Sequence, residues 1–480
     1  MTVAYDSLFI DGGWVAPATD RRIDVVNATT EDSLGSVPEA TEEDVDRAVR
    51  AARHAFDDSA WGNAEPGERA AVLNRFADAL EKRADQVTRT VSQQNGMPLS
   101  LSEQFEGGYA VALLRYYAAL ATSTDYEERR PSPLGFDTLV RRSPIGVIGA
   151  IVPWNYPVVL AVTKIAPALA AGCSVVVKPS PGTVLDSFIL AEAAEEAGVP
   201  AGVLNWVPGG RELGAYLVSH PGVDKVAFTG STAAGRLIGE QCGRLMRPVS
   251  LELGGKSAAV ILDDADLDKV TEGLYFASLA NNGQTCMACT RILAPRSRYD
   301  EVVDAIGGWL GGLQVGDPLD PATQVGPLAS AEHRERVEGY IAKGRGEGAR
   351  LVLGGGRPAG LDRGWFVEPT LFADVDNAST IAQQEIFGPV LSIIGYDSDE
   401  DAVRIANDSE YGLGGSVWSA DPARATDVAR RVQTGTIGVN GYVLDLNAPF
   451  GGVKGSGIGR EFGPEALAGY LQLKSIYLPA

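Results

Sequence analysis

Residues 146–157 read Gly-Val-Ile-Gly-Ala-Ile-Val-Pro-Trp-Asn-Tyr-Pro. An uninterrupted apolar run ends in a Pro-bounded turn that carries Trp154 and Asn155. The pattern then repeats. Apolar runs at Ser174–Lys178, Val203–Val207, Lys225–Phe228 and Val249–Leu253 alternate with helical stretches at 158–170, 183–197, 211–219 and 232–242. Short apolar runs separated by helical periods predict parallel strands covered on both faces. Right-handed crossovers then give a doubly wound α/β sheet. Ligands of such sheets bind beyond the carboxyl ends of the strands. Four consecutive strand ends carry the expected residues: Pro153-Trp154-Asn155-Tyr156-Pro157, Lys178-Pro179-Ser180-Pro181, Pro208-Gly209-Gly210 and Thr229-Gly230-Ser231. One crevice is expected there.

Upstream, residues 40–125 read mainly as helix. Thr41-Glu42-Glu43-Asp44 is a cap with an acidic first turn. Between 123 and 143 the text turns polar and extended. Downstream of Leu253, Gly254-Gly255-Lys256-Ser257 opens a second alternation that runs to about 456. This is not a P-loop, because Ser250 stands where that motif needs Gly. The spacing in Gly230-Ser231-Thr232-Ala233-Ala234-Gly235 is also wrong for G-x-G-x-x-G. A dinucleotide bound here is held in a non-standard way.

Composition excludes several classes. The 480 residues include 41 Lys+Arg and 62 Asp+Glu, for a net charge of −21. Nucleic acid, which is bound through phosphate neutralisation, is not an expected partner. Anionic membrane surfaces are disfavoured for the same reason. The cysteines are Cys173, Cys242, Cys286 and Cys289, too few for a disulfide framework. With only three histidines, His54, His220 and His333, neither a zinc site nor a histidine triad is expected. No signal peptide and no membrane-length apolar run is read, so a cytoplasmic protein is expected. The sequons at Asn27, Asn377 and Asn407 are read as chance.

The ordered set of motifs resembles the aldehyde dehydrogenase superfamily. It comprises Pro153-Trp154-Asn155-Tyr156-Pro157, Lys178-Pro179-Ser180, Phe228-Thr229-Gly230-Ser231 and Leu251-Glu252-Leu253-Gly254-Gly255-Lys256. Asn282-Gly283-Gln284-Thr285-Cys286, Glu385-Ile386-Phe387-Gly388-Pro389, Pro449-Phe450-Gly451-Gly452 and the stretch from Gly457 to Glu461 complete it. Phe9-Ile10-Asp11-Gly12-Gly13-Trp14 fits as well, so the resemblance spans nearly the whole chain. It implies two doubly wound Rossmann-like α/β domains plus a small β oligomerisation flap. The cofactor domain would hold 1–122 and 144–253, the catalytic domain 254–456, and the oligomerisation segment 123–143 with 457–480. A homodimer or homotetramer is implied, with the strand Leu471 to Leu478 offering an edge for pairing.

The resemblance also assigns roles. Cys286 is the nucleophile, since a thiolate adds reversibly to an aldehyde. Alone, a cysteine is more often a buried structural residue, and Cys289 and the other two are read that way. Cys289 could still pair with Cys286 under oxidation. Glu252 is the general base that activates water for thioester hydrolysis. Its presence favours the free acid over transfer to coenzyme A. Asn155 and the Cys286 backbone N–H would hold the oxyanion. Lys178 belongs to the catalytic and cofactor sets, as the ligand of the adenosine ribose. Ile151, Trp154 and Gly210 would flank the cofactor, and Gly230 and Ser231 would meet its pyrophosphate at a helix N-terminus. Glu385 would hold the nicotinamide ribose, and Phe387 would pack on the nicotinamide.

The cofactor implied is NAD. NADP stays open, because Pro181 stands where many NAD-preferring relatives carry Glu, yet no new cation flanks Lys178. No metal is implied. The pocket for a small-molecule aldehyde is read from Tyr156, Leu160, Thr285, Met287, Tyr442, Leu444 and Phe450. No charged side chain is among them, which points to an apolar aliphatic, aromatic or terpenoid aldehyde. The alternatives are a coenzyme-A-acylating semialdehyde dehydrogenase and a non-catalytic structural protein on the same scaffold.

Overall fold

The computed structural model describes residues 3–479. Its centre is a six-stranded sheet in the order Leu204–Trp206, Ser174–Lys178, Val147–Ile151, Lys225–Thr229, Val249–Glu252, Gly457–Ile458. All neighbours are parallel except the last pair. Strands Val147–Ile151, Ser174–Lys178 and Lys225–Thr229 are buried along their whole length. That burial explains their unbroken apolar text. Helices Pro157–Ala171, Leu185–Glu196, Arg211–Ser219 and Thr232–Arg244 make the crossovers. The strand order reverses beside Val147–Ile151, whose neighbours are Ser174–Lys178 and Lys225–Thr229. The turns at 153–156 and 230–231 therefore flank a switch point.

The second sheet has seven strands in the order Arg350–Leu353, Thr370–Ala373, Val390–Tyr396, Arg291–Pro295, Ala258–Ile261, Gly415–Trp418, Gly438–Val439. Only its first pair is antiparallel. A separate three-stranded sheet pairs Leu471–Tyr477 with Asp137–Pro144 and Glu127–Pro131. It joins the polar stretch to the C-terminal strand through an antiparallel register from Leu471–Pro144 to Tyr477–Thr138. Leu471–Tyr477 and Glu127–Pro131 are its two edges, and on the former Leu473 is 70% and Tyr477 72% exposed.

Not everything after 456 lies in that small sheet. Gly457–Ile458 adds an antiparallel strand to the six-stranded sheet, and the short helix Gly463–Ala468 packs against Pro157–Ala171. Gly457 has φ +139°, and a Cβ there would collide with the Leu251 carbonyl oxygen, so only glycine lets this strand approach. Among the described residues no helix is long and apolar enough to cross a membrane.

Candidate active site

Two turns and one loop converge at the switch point. Pro153–Tyr156 follows the first central strand, and Gly230–Ser231 follows the fourth. The loop Asn281–Cys286 reaches over from the second sheet. Its backbone is strained: Asn281 and Asn282 have φ of 52° and 60°, a left-handed conformation that asparagine tolerates. Its amide side chains compensate by pinning it. Asn281 donates to the Asn155 carbonyl (2.9 Å), and Asn282 donates to Gly96 (2.8 Å) and Pro327 (2.9 Å). Gln284 donates to the Asn95 carbonyl (3.1 Å) and accepts from the Ala329 N–H (2.9 Å). This buried network holds Cys286 in place.

Cys286 and Asn155 border two cavities at once. The first is a cleft of ≈ 210 Å³ lined by Trp154, Gly230, Ser231, Leu253, Gly254, His333, Arg336, Glu385 and Phe387. The second is a narrow cavity of ≈ 50 Å³ between helices. The Asn155 side-chain amide gives one N–H to the Gln284 carbonyl (3.0 Å) and keeps the other. Among the described residues the Cys286 backbone N–H has no acceptor. Two donors are thus available beside one sulfur. Burial, then Glu385, Glu252 and Glu461, push the Cys286 thiol upward, with the Met287 N–H opposing them.

Glu252 ends its strand fully buried, and neither carboxylate oxygen has a partner among the described residues. Burial, then Glu461, hold its pKa well above the carboxylate range, opposed by Lys164 and Arg460. Lys164 itself donates to Glu461 (2.6 Å) and Thr229 (2.6 Å) inside the protein. A carboxyl that is desolvated and unpartnered resists ionisation and is therefore a strong proton acceptor once ionised.

The residues that line the cleft suit a dinucleotide by their chemistry. A Cβ on Gly230 would stand 2.5 Å from the Phe228 ring, and one on Gly254 would stand 2.5 Å from Glu385 Oε2. Ser231 caps helix Thr232–Arg244 by accepting the Ala234 N–H (3.3 Å), which leaves first-turn donors facing the cleft for an anion. Glu385 Oε1 accepts the Gly255 N–H (2.9 Å), and burial pushes its pKa up to about 7. Phe387, at φ 66°, sets its ring edge-on to Trp154 at 5.3 Å. Ile151, Lys178 and Gly210 do not line this cleft. They lie along the same edge of the sheet, with Lys178 Nζ donating to the carbonyls of Pro179 (2.9 Å) and Gly209 (2.6 Å). Burial lowers the Lys178 pKa to about 8. Lys178 does not stand among the residues around Cys286.

The apolar cavity takes in Tyr156, Leu160, Thr285, Met287, Leu444 and Phe450 from the sequence reading. Tyr442 does not border it; its hydroxyl is turned to Thr436. Tyr156 donates to Thr285 (2.9 Å), whose own hydroxyl proton goes to the Ala280 carbonyl (2.8 Å), so the wall beside Cys286 is fixed. Sequence reading missed Phe105, Tyr109, Val159, Phe276, Glu461 and Phe462. Glu461 also corrects the expectation of a wall without acidic residues. Its partner Lys164 balances that charge.

His333, set aside in the sequence as belonging to no motif, lines the cofactor cleft. Its Nε2 donates to the Phe387 carbonyl (2.6 Å), and burial pushes it down to about 4, so the ring is neutral. Cys289 is buried against Ser416 and the Met287 carbonyl, and all four cysteines are free.

Known proteins share this geometry. The family model described as "Aldehyde dehydrogenase family" matches residues 14–476. Geranial dehydrogenase of Castellaniella defragrans is 62% identical over 478 residues, covering 100% of both chains. The crystal structure of a Mycobacterium tuberculosis aldehyde dehydrogenase complexed with NAD+ superposes with a TM-score of 0.98 at 50% identity, covering 100% of this chain and 99% of that one. A Pseudomonas syringae aldehyde dehydrogenase complexed with NAD+ and octanal gives a TM-score of 0.95 at 38% identity, covering 98% and 96%. A match that runs through both sheets and both walls of the cleft leaves one reading: this chain belongs to the aldehyde dehydrogenase family, enzymes that oxidise an aldehyde to its carboxylic acid.

Proposed function

We propose that this enzyme oxidises an apolar, terpenoid-type aldehyde with NAD, using Cys286, Glu252 and Asn155. The observation that carries the reading is that Cys286 borders both the polar cleft and the apolar cavity. A substrate carbonyl and a dinucleotide then approach one sulfur from opposite sides. The similarity to a geranial dehydrogenase and to NAD+ complexes supports the substrate class and the cofactor.

Cys286 gives its thiol proton to solvent, and the sulfur, as thiolate, adds to the carbonyl carbon. The new oxyanion is met by the free Asn155 N–H and the Cys286 N–H, donors worth roughly 3–4 kcal/mol each. When bound, the dinucleotide supplies the acceptor for the hydride that the tetrahedral carbon releases. Gly230, Ser231, Glu385 and Phe387 would hold it, with Lys178 and Gly210 further along the sheet edge. Glu252, as the carboxylate, draws a proton from water. The hydroxide adds to the thioester carbon, the C–S bond breaks, and the acid leaves. Direct hydrolysis, not transfer to coenzyme A, suits a carboxylate that is buried without a partner.

The test is a panel of aliphatic, aromatic and terpenoid aldehydes, geranial among them, run with NAD and with NADP. Strongest turnover of C10 prenyl aldehydes with NAD supports the reading. Preference for betaine aldehyde or for NADP overturns it. The exposed edge Leu471–Tyr477 supports assembly into a homodimer or homotetramer, whose size light scattering reads directly.

A further inference from the structure

Glu106 stands behind the oxyanion turn. It belongs to the π-helical turn Glu103–Tyr109 and is completely buried. Its Oε2 accepts the backbone N–H groups of Val158 (2.7 Å) and Val159 (3.2 Å). These are the first free donors of helix Pro157–Ala171, because Pro157 has none and Tyr156 gives no side-chain cap. A carboxylate is favoured at a helix N-terminus by the dipole as well as by these bonds. Here the cap comes from a distant element instead of the residue before the helix.

The same π-turn carries Phe105 and Tyr109 into the apolar cavity. Phe105 stacks on Phe276 (centroids 5.5 Å, 12°) and meets Tyr156 edge-on (5.9 Å, 76°). One short turn therefore holds the cavity wall with its aromatic side chains and the oxyanion helix with its carboxylate. π-Turns are frequent at functional sites.

We infer that Glu106 is a positioning residue: it locks the start of helix Pro157–Ala171, and with it Asn155, to the turn that forms the aldehyde cavity. The inference rests on the reading of Asn155 as oxyanion donor. A single oxygen makes both bonds, while Glu106 Oε1 has no partner among the described residues. Glutamine at this position keeps one acceptor oxygen and therefore the lock. Alanine removes it. The charged neighbour to consider is Asp186, whose Oδ1 accepts from Gln94 Nε2 (2.8 Å).

The experiment compares Glu106→Ala, Glu106→Gln, Asn155→Ala and the double variant E106A/N155A, with propanal and geranial at saturating NAD. E106A is expected to lower kcat for both aldehydes roughly 10–100-fold, the scale of a small misplacement of a reacting group, with the KM for NAD unchanged. E106Q recovers most of kcat. The double variant is no slower than N155A alone, because Glu106 acts through Asn155. If E106A does not fold, Glu106→Asp, which withdraws the acceptor, replaces it against E106Q. Wild-type kcat in a folded E106A or E106D overturns the inference. So does an E106Q as slow as E106A, or effects that multiply in the double variant. Near-normal kcat in N155A overturns the oxyanion reading instead, so the two failures are distinguishable.

Discussion

On one side of Cys286 the cleft is made largely of backbone and strand-end turns: Gly230, Ser231, Gly254 and the Pro153–Asn155 turn. On the other side the cavity is made of side chains from separate segments, among them Phe105, Leu160, Phe276, Leu444 and Phe462. A Cβ at Gly230 or Gly254 would force the Phe228 ring or the Glu385 carboxylate to move, so the shape of the first surface is sensitive to residue type. The second keeps its character under swaps between apolar side chains of similar volume. The difference teaches that the cofactor side is specified by motif and the aldehyde side by volume.

Substitutions at the junction should disable both sides. Cys286→Ala is expected to abolish NADH formation with every aldehyde; residual turnover would remove Cys286 from the mechanism. Glu252→Gln should keep a single-turnover burst while steady-state kcat falls on the order of 10²–10⁴, the usual range for general base catalysis. A burst lost with the steady state would place Glu252 in the addition step. Asn155→Ala should cost roughly 10²–10³ in kcat.

Substitutions on one side should separate the cavities. Gly230→Ala drives a methyl into the Phe228 ring and is expected to raise the KM for NAD equally for all aldehydes. Phe105→Ala should leave the KM for NAD alone and weaken kcat/KM for geranial more than for propanal, by roughly 10-fold, the scale of a hydrophobic pocket contact. Parallel losses for both aldehydes would break the division.

The smallest effect is on pH. Glu252 binds its proton more tightly folded than unfolded, because its folded pKa is raised. Its contribution to stability is therefore largest at low pH and declines as pH rises through the raised value. E252Q lacks this loss, so its Tm should gain on wild type as pH rises from about 5 to about 8. Turnover has the opposite sense, falling as pH drops through the same pKa, since only the carboxylate accepts a proton.

The alternating strands were legible because a strand buried on both faces must be apolar throughout, and Val147–Ile151 and Ser174–Lys178 show this in their text. The cleft residues Asn155, Gly230 and Ser231 were legible because each follows a strand where such residues are needed, whereas Glu385 was legible only through the family motif that carries it. His333 was not, since it sits in the polar helix Ala331–Gly346, whose text shows no sign of the cleft. Phe105, Phe276 and Phe462 were hidden for a different reason. An aromatic facing a cavity and one facing the core look alike in the sequence, whether on a helical turn, as Phe105 and Phe276 are, or just before a helix, as Phe462 is.

What the sequence by itself determined is therefore the scaffold and the candidate groups on it: a carboxylate and an amide at the strand ends of one parallel sheet, and a thiol on a loop from the other. Tertiary structure alone decided the surroundings of that chemistry. It brought Glu461 with Lys164 beside Glu252, Glu106 beneath the oxyanion helix, and several distant segments around the aldehyde cavity. The physical reason is that local sequence dictates backbone period and special torsions, whereas burial, pKa and cavity shape arise from contacts between segments distant along the chain.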